Sequence, residues 1–259
     1  MVSSAKWPPT QIFSDGLFKM TNTLWENANL VYLPYCSSDA HMGDTEVELP
    51  LFGLQQFRGR RLAREAVKRL VGMKENQEII FGGTSAGGRG SMVLVDFIHE
   101  LVHESSTVYG LHDSGAYQDI QPIISGYYPF GSQCHDAYNM FSPPISSQCS
   151  ELHGPDSLYK CVCGEYMLPH VLTPSQVIIH QYDSYQLKNN IGHEPKFWTY
   201  DMCKYAEDPF RTGMLDTIEA IWENENHVVF APACYTHGRM MGKDFQNIKV
   251  RPLLKILVF

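Results

Sequence analysis

An α/β fold built on a doubly wound, mainly parallel sheet is what this sequence predicts. Three observations carry the prediction: short apolar runs, helix-period patterns between them, and polar clusters where the runs end. The first run covers residues 30–33. A helical pattern over 57–71 follows, with Phe57, Leu62, Val67 and Leu70 on one face and a basic cluster from Arg58 to Arg69 on the other. The second run, 78–81, reads as a buried strand. After it Met92, Val95, Ile98 and Val102 recur at helical spacing, and Leu94 and Leu101 widen the stripe. Further runs at 107–111, 177–180 and 228–231 complete five strands, the last preceded by a helical pattern over 210–222. Alternation of this kind implies crossover connections between parallel neighbours. No internal repeat is visible.

With 259 residues and 44% hydrophobic content, the chain is long enough for a single α/β domain spanning 1–259. A net charge of -8 argues against a nucleic-acid partner, and the basic cluster reads as a solvated helix face. No apolar stretch has membrane-spanning length; the tail 253–259 reads as a terminal strand or an exposed end. Seven cysteines, Cys36, Cys134, Cys149, Cys161, Cys163, Cys203 and Cys234, fit neither a zinc ribbon nor a C-x-x-C redox site. Cys161 and Cys163 lie too close in sequence to bridge each other, so each needs a distant partner. Disulfides across the loop-like region between Cys134 and Cys203 point to an oxidising compartment. Met1 to Trp7 carries no apolar signal region, so the chain shows no export address of its own.

Gly83-Thr84-Ser85-Ala86-Gly87 places a serine between glycines directly after an apolar run and directly before a helical pattern. That is the layout of a strand-to-helix turn that lifts a serine hydroxyl into the open. A phosphate-cradling loop is the rival reading, but it wants lysine and then Ser or Thr, and Gly88-Arg89-Gly90-Ser91 offers arginine. A glycine-rich turn without chemistry is the third. Other residues decide among them.

Working residues of such sheets gather beyond the carboxyl ends of the strands. Asp39 follows the first run, Ser85 the second, Asp113 the third, Asp183 the fourth and His237 the fifth. A serine is a weak nucleophile unless an imidazole takes its proton and a carboxylate orients that imidazole. Ser85, Asp183 and His237 supply these groups in the chain order found in α/β-hydrolase-type sheets. Asp183 has an alternative role as a helix cap through Ser184 and Gln186. Asp39 and Asp113 are rival acids, the second better read as holding a tight turn with Ser114 and Gly115. His180 lies within a predicted strand and His112 precedes that turn. His99 and His103 have helix-neighbour spacing but no evident third metal ligand.

Taken in order, six segments resemble the pectin acetylesterase and Notum family of secreted serine esterases over nearly the whole chain. They are Tyr35-Cys36-Ser37-Ser38-Asp39, Phe57-Arg58-Gly59, Gly83-Thr84-Ser85-Ala86-Gly87-Gly88, Asp113-Ser114-Gly115, the stretch from Tyr182 to Asn189, and Cys234-Tyr235-Thr236-His237. The resemblance implies an α/β-hydrolase-like fold with Ser85 as nucleophile, Asp183 as orienting acid and His237 as base. It implies an acyl-enzyme route with the Ala86 N–H as oxyanion donor, no metal or organic cofactor, secretion, and a monomer. Removal of acetyl groups from a carbohydrate such as pectin is the first expectation for substrate, deacylation of a lipidated Wnt-type protein the second, and an inactive binding member the third. Tyr117, Tyr127, Tyr128 and Phe130 are candidates for lining a pocket or stacking on sugar rings. Family members carry a Gly-Gly-Trp-type oxyanion loop upstream of the segment resembled by Ser3 to Pro8, so the expectation is a chain that lacks the N-terminal part of the domain and turns over poorly, with its C-terminal end also open to truncation.

Overall fold

The computed structural model describes residues 8–10, 12–13, 15–19, 27–71, 74–243 and 245. The first seven residues and the tail 253–259, read above as a terminal strand or exposed end, lie outside the described residues.

Alternating exposure in Thr45–Leu49 (β1) and Gly53–Phe57 (β2) folds an antiparallel hairpin with Thr45 opposite Phe57. Gly59–Leu70 (α1) buries Gly59, Ala63 and Val67, the four-residue stripe of one helix face. Leu62 and Leu70, expected on that face, are 47% and 46% exposed, and Phe57 belongs to β2. Leu62 lies one residue, about 100°, off that stripe, and Leu70 is the last residue of the helix.

Glu78–Thr84 (β3), Ala86–His99 (α2) and Thr107–Asp113 (β4) form a strand-helix-strand unit whose strands run parallel, from Glu78 beside Thr107 to Thr84 beside Asp113. A lobe of short helices follows, Phe130–Phe141 (α3), Ser147–Leu152 (α4) and Gly164–Met167 (α5), tied by Cys134–Cys163 and Cys149–Cys161. Cys161 and Cys163 thus each take a distant partner. Cys203, inside the same expected cluster, is free and exposed, as are the half-buried Cys36 and Cys234 free.

Ser175–Ile178 (β5), Tyr182–Asp183 (β6), Ser184–Ile191 (α6), Tyr200–Tyr205 (α7), Thr212–Glu223 (α8), His227–Phe230 (β7) and Tyr235–Thr236 (β8) complete the chain. The sheet has order β3-β4-β5-β7 and every pair is parallel. Successive residues of a strand face opposite sides, so Val177 joins the large core with Leu94, Ile98, Ile218 and Val229, while Ile178 joins Leu111 and Met240 on the other face.

The run 30–33 forms no strand. Among the described residues β3 pairs with β4 alone, so Leu30, Val31 and Tyr32 have no ladder to complete and stay 42–49% exposed. The fourth strand ends at Ile178, which puts His180 beyond it rather than within it.

Candidate active site

At the end of β3, Ser85 adopts φ 58°, ψ −117°, a region that costs a non-glycine residue about 1–3 kcal/mol. Its neighbours show how the strain is held. The Ser85 N–H donates to the Asp113 carbonyl at 2.9 Å, and its own carbonyl receives the first-turn N–H of Arg89 at 2.9 Å. A Cβ on Gly83 would stand 2.4 Å from the Gly87 backbone, so glycine at 83 lets α2 start directly over the strand end. A Cβ on Gly87 would meet nothing within 4 Å; only the first of the flanking glycines is required by packing.

Beyond the sheet, β5 and β7 continue into β6 and β8. The Ile179 N–H donates to Phe230 O at 3.0 Å and the Gln181 N–H to Pro232 O at 3.1 Å, which carries the register on until Asp183 pairs with Thr236. His237 is the next residue. Its Nδ1 lies 2.8 Å from Asp183 Oδ2, while Asp183 Oδ1 accepts the Gln186 N–H at 3.0 Å and caps α6. The two readings of Asp183, cap and acid partner, are served by its two oxygens. A buried carboxylate that accepts from Nδ1 fixes the imidazole with Nε2 as a free acceptor.

No direct hydrogen bond joins Ser85 to His237. Instead Tyr117 Oη lies 3.3 Å from Ser85 Oγ and 3.5 Å from His237 Nε2. Burial, and next the nearby Asp183 carboxylate, push the Tyr117 phenol well above its ordinary value, so it stays neutral. Its ring stacks on Phe130 at 4.2 Å between centroids, and Tyr185 completes the wall at 5.8 Å from Tyr117 and 5.2 Å from His237. Tyr127 meets Phe130 at the far edge. Tyr128 does not join: it is half exposed and its hydroxyl donates to Asp136. Arg89, one turn along α2 from Ser85, is half-buried and has no ion pair or side-chain hydrogen bond among the described residues; burial lowers its pKa, and the tyrosines acting on its charge are Tyr117, Tyr35, Tyr185 and Tyr127.

The loop that bears His237 is fastened from below by two polar residues. Asp113 Oδ2 accepts the N–H groups of Arg239 and Met240, each at 2.7 Å, together with the Thr84 hydroxyl from the elbow. Ser114 Oγ donates to Asp113 Oδ1 at 2.9 Å and accepts the Gly238 N–H at 2.9 Å. With its one hydrogen committed, Ser114 can only accept from His180 Nδ1 at 3.1 Å, which leaves the buried His180 Nε2 without a partner among the described residues. Asp113 therefore is not a second acid for His237, and its role exceeds a local turn: it joins the elbow to the base-bearing loop.

The other rivals are structural as well. Asp39 spends its carboxylate on the N–H groups of His41, Gly43 and Gly59 and on the Ser37 hydroxyl. His112 bridges Ser91 and Ser175 in the core, where burial pushes its pKa down to about 3. His103 lies past the end of α2, so it is not a helix neighbour of His99. The His/Cys/carboxylate group within metal-binding distance among the described residues is Cys149, His153 and Cys161, and both its sulfurs are in a disulfide. Sequence reasoning did not single out Tyr185, Ser114 or His180 for this site. Tyr185 stands two residues past Asp183, but nothing in the spacing of residues tells a stacked tyrosine from an exposed one.

Residues 1–253 match the profile of the family described as Pectinacetylesterase. The palmitoleoyl-protein carboxylesterase NOTUM of Drosophila melanogaster is 29% identical over 96% of this chain and 38% of its own length. The Homo sapiens protein of the same name is 24% identical over 97% of this chain and 52% of its own. Pectin acetylesterase 7 of Arabidopsis thaliana is 27% identical over 84% of this chain and 59% of its own. The chain thus spans between about two fifths and three fifths of the length of these relatives. A crystal structure of the Drosophila Wnt deacylase Notum superposes with a TM-score of 0.81, at 24% identity, over 96% of this chain and 72% of that one, a likeness of fold.

Proposed function

This chain belongs to the pectinacetylesterase family, and from that premise we propose that it is a serine carboxylic ester hydrolase. The observation that carries the reading is the Asp183–His237 pair at 2.8 Å, held at strand ends beside a serine on a strained elbow. In this mechanism Ser85 Oγ attacks the acyl carbon, its proton ends on His237 Nε2, and Asp183 steadies the imidazolium. The Ala86 N–H, first of α2, faces the developing oxyanion from the positive end of the helix. Collapse expels the alcohol, which takes the proton back, and water repeats the cycle on the acyl-enzyme. No step calls on a metal or cofactor.

A fluorophosphonate probe tests the proposal. Covalent labelling at Ser85 that His237→Ala abolishes is expected; a folded protein that stays unlabelled would be a binding member of the family instead.

For the substrate, the relatives named as protein carboxylesterases match more of this chain than the named pectin acetylesterase does, 96–97% against 84%. Removal of a fatty acyl group from a protein is therefore the leading reading, ahead of the carbohydrate acetyl ester that stands first in the sequence analysis. The second reading keeps one specific support: Arg89, without an ion pair among the described residues, and a wall of tyrosines beside the nucleophile suit an acidic sugar better than a lipid tail, since a cation against hydrocarbon is costly. Acetate release from acetylated pectin, set against palmitoleate release from a lipidated peptide, separates the two. The disulfides support export to an oxidising compartment.

A further inference from the structure

We propose that Gln186 is a positioning residue for the ester hydrolysis, one side chain that holds the Tyr117 wall and the acid of the catalytic pair in a single frame. The inference rests on the ester-hydrolase reading above and adds what sets the wall against the imidazole. Tyr117 needs such a support. Residues 115–122 belong to no helix or strand, so the buried N–H and C=O groups around Tyr117 must find partners elsewhere in the chain. Gln186 supplies two of them at the next residue: its Oε1 accepts the Gln118 N–H at 3.1 Å, and its Nε2 donates to the Gln118 carbonyl at 2.7 Å. Both are ordinary hydrogen-bond lengths. A backbone N–H only donates and a carbonyl only accepts, so the amide has one orientation that makes both bonds. It does for Gln118 what a neighbouring strand would do.

The other end of Gln186 is fixed by the acid. Its backbone N–H is the one that Asp183 Oδ1 accepts at 3.0 Å, while Asp183 Oδ2 faces His237 Nδ1 at 2.8 Å. Wall and imidazole are thereby joined through Tyr117, Gln118, Gln186, Asp183 and His237, every link a peptide bond or a hydrogen bond of 2.7 to 3.1 Å. Gln186 and Gln118 are 0% and 2% exposed, so water does not compete for the clasp. The Gln118 side chain also donates to the Phe210 carbonyl at 3.1 Å, which anchors the clasped residue from its far side. Tyr185, just before Gln186, stacks on His237 at 5.2 Å between centroids, so one turn of α6 places both tyrosines of the wall. Asn190, one turn further on, provides a comparison: its Nδ2 donates to Tyr205 Oη at 2.9 Å, and Tyr205 in turn donates to the Gln121 carbonyl at 2.8 Å. It steadies the same segment away from the wall.

Gln186→Glu tests the clasp with a side chain of the same shape that works in one protonation state. A neutral carboxyl still accepts from the Gln118 N–H and donates to its carbonyl, whereas a carboxylate has no donor and sets an oxygen against that carbonyl. Burial, and the negative charge of Asp183, raise the pKa of the introduced carboxyl. Other titratable groups on the chain packed against this end of α6 are Tyr182 of β6, Tyr235 of β8, His237, and Tyr117 and Asp119 of the facing segment. The readout is the fluorophosphonate labelling rate of Ser85 per site that finally labels, which separates misplacement from unfolding. For Gln186→Glu it should lie within about 3-fold of wild type at about pH 5 and fall about 100-fold below it by about pH 9, the usual cost of a misplacement near 1 Å beside the chemistry. Wild type, whose base works unprotonated, holds a plateau at the alkaline end. Asn190→Ala should lower the urea midpoint and keep the wild-type labelling rate per site. A Gln186→Glu profile that follows wild type at every pH, or an Asn190→Ala rate that falls as far, overturns the proposal and leaves the ester-hydrolase reading intact; a wild type that is never labelled removes both. Should Gln186→Glu fail to fold, Gln186→Met decides: a loss of about 100-fold at every pH supports the positioning role, and a wild-type rate sinks it.

Discussion

Ser85 rises between a seven-residue strand and a fourteen-residue helix whose Met92, Leu94, Val95 and Ile98 lie in the main core, whereas Asp183 ends one two-residue strand outside the main sheet and His237 directly follows another. The first support is apolar and large. The second is polar and small, resting on the β6–β8 register and on the carboxylate and hydroxyl of Asp113 and Ser114. Dispersed apolar contacts share a perturbation among many atoms, while a hydrogen-bonded clamp concentrates it on one. The nucleophile arm should therefore tolerate loss of a core side chain in its chemistry, and the acid–base arm should not tolerate loss of a single oxygen beneath it.

The largest effect expected is common to both arms. Ser85→Ala and His237→Ala should each lower kcat on a chromogenic ester by about 10^5- to 10^6-fold, and the double variant should be no worse than either, because the two residues act as a unit. Additive losses would mean that they do not. Asp183→Asn comes next, at about 10^4-fold in kcat, since an amide beside Nδ1 favours the wrong tautomer. Its stability should hardly change: asparagine caps helices as well as aspartate does, and the Gln186 N–H keeps an acceptor. A fall of several kcal/mol would show that the Asp183 charge facing His237, which asparagine lacks, also holds the fold together.

Asp113→Ala and Leu94→Ala set the two supports against each other directly. Each should destabilise by about 3 kcal/mol, the first by stranding the Arg239, Met240 and Thr84 donors and the second by opening a cavity at a fully buried position. Only Asp113→Ala should also cost about 100-fold in kcat, by letting the His237 loop drift. Urea midpoints and kcat measured on both variants make the comparison. Equal activity losses would end the distinction between an apolar arm and a polar one.

Where the sequence was legible, the physics was local. Period-3.6 and apolar-run signals marked α2, α8 and the four strands of the main sheet, because those elements bury continuous apolar surface. Ser85, Asp183 and His237 were named from their places at run ends, and the structure brings Asp183 and His237 into contact with Tyr117 bridging to Ser85. What failed was any inference that needed a partner from elsewhere. The run 30–33 is as apolar as a strand, yet a strand exists only beside another strand, and no pattern inside four residues reports that. The clamp was illegible for the same reason: Asp113 and Arg239 are 126 positions apart, and an aspartate before Ser-Gly reads as a turn until its far donors are seen. Tyr117 could be named as a pocket residue, but its place between nucleophile and imidazole follows from the packing of Phe130 and Tyr185 around it.

A third anchorage lies behind the aromatic wall, and it gives the smallest effect and the one with a pH signature. Glu165 of α5, in the disulfide-tied lobe, accepts the Asp119 N–H at 2.6 Å, and two residues earlier in that segment stands Tyr117. Burial first, and the Asp119 charge in addition, push the Glu165 carboxyl up from 4.5 to about 7, against the opposing pull of that N–H. The folded state therefore holds a proton that the unfolded chain has already released, so this group favours folding below about pH 4.5 and loses that contribution as pH rises through about 7. The expected decline is about 2 kcal/mol, discounted for the partial exposure of the side chain. Glu165→Gln should flatten the urea midpoint between pH 5 and pH 8, because the amide still accepts from Asp119 and has no charge to bury. Parallel slopes in the two proteins would place the pH dependence elsewhere, and would leave the wall held by its ring contacts and by the paired amides of Gln118 and Gln186, at 3.1 and 2.7 Å, rather than by the lobe.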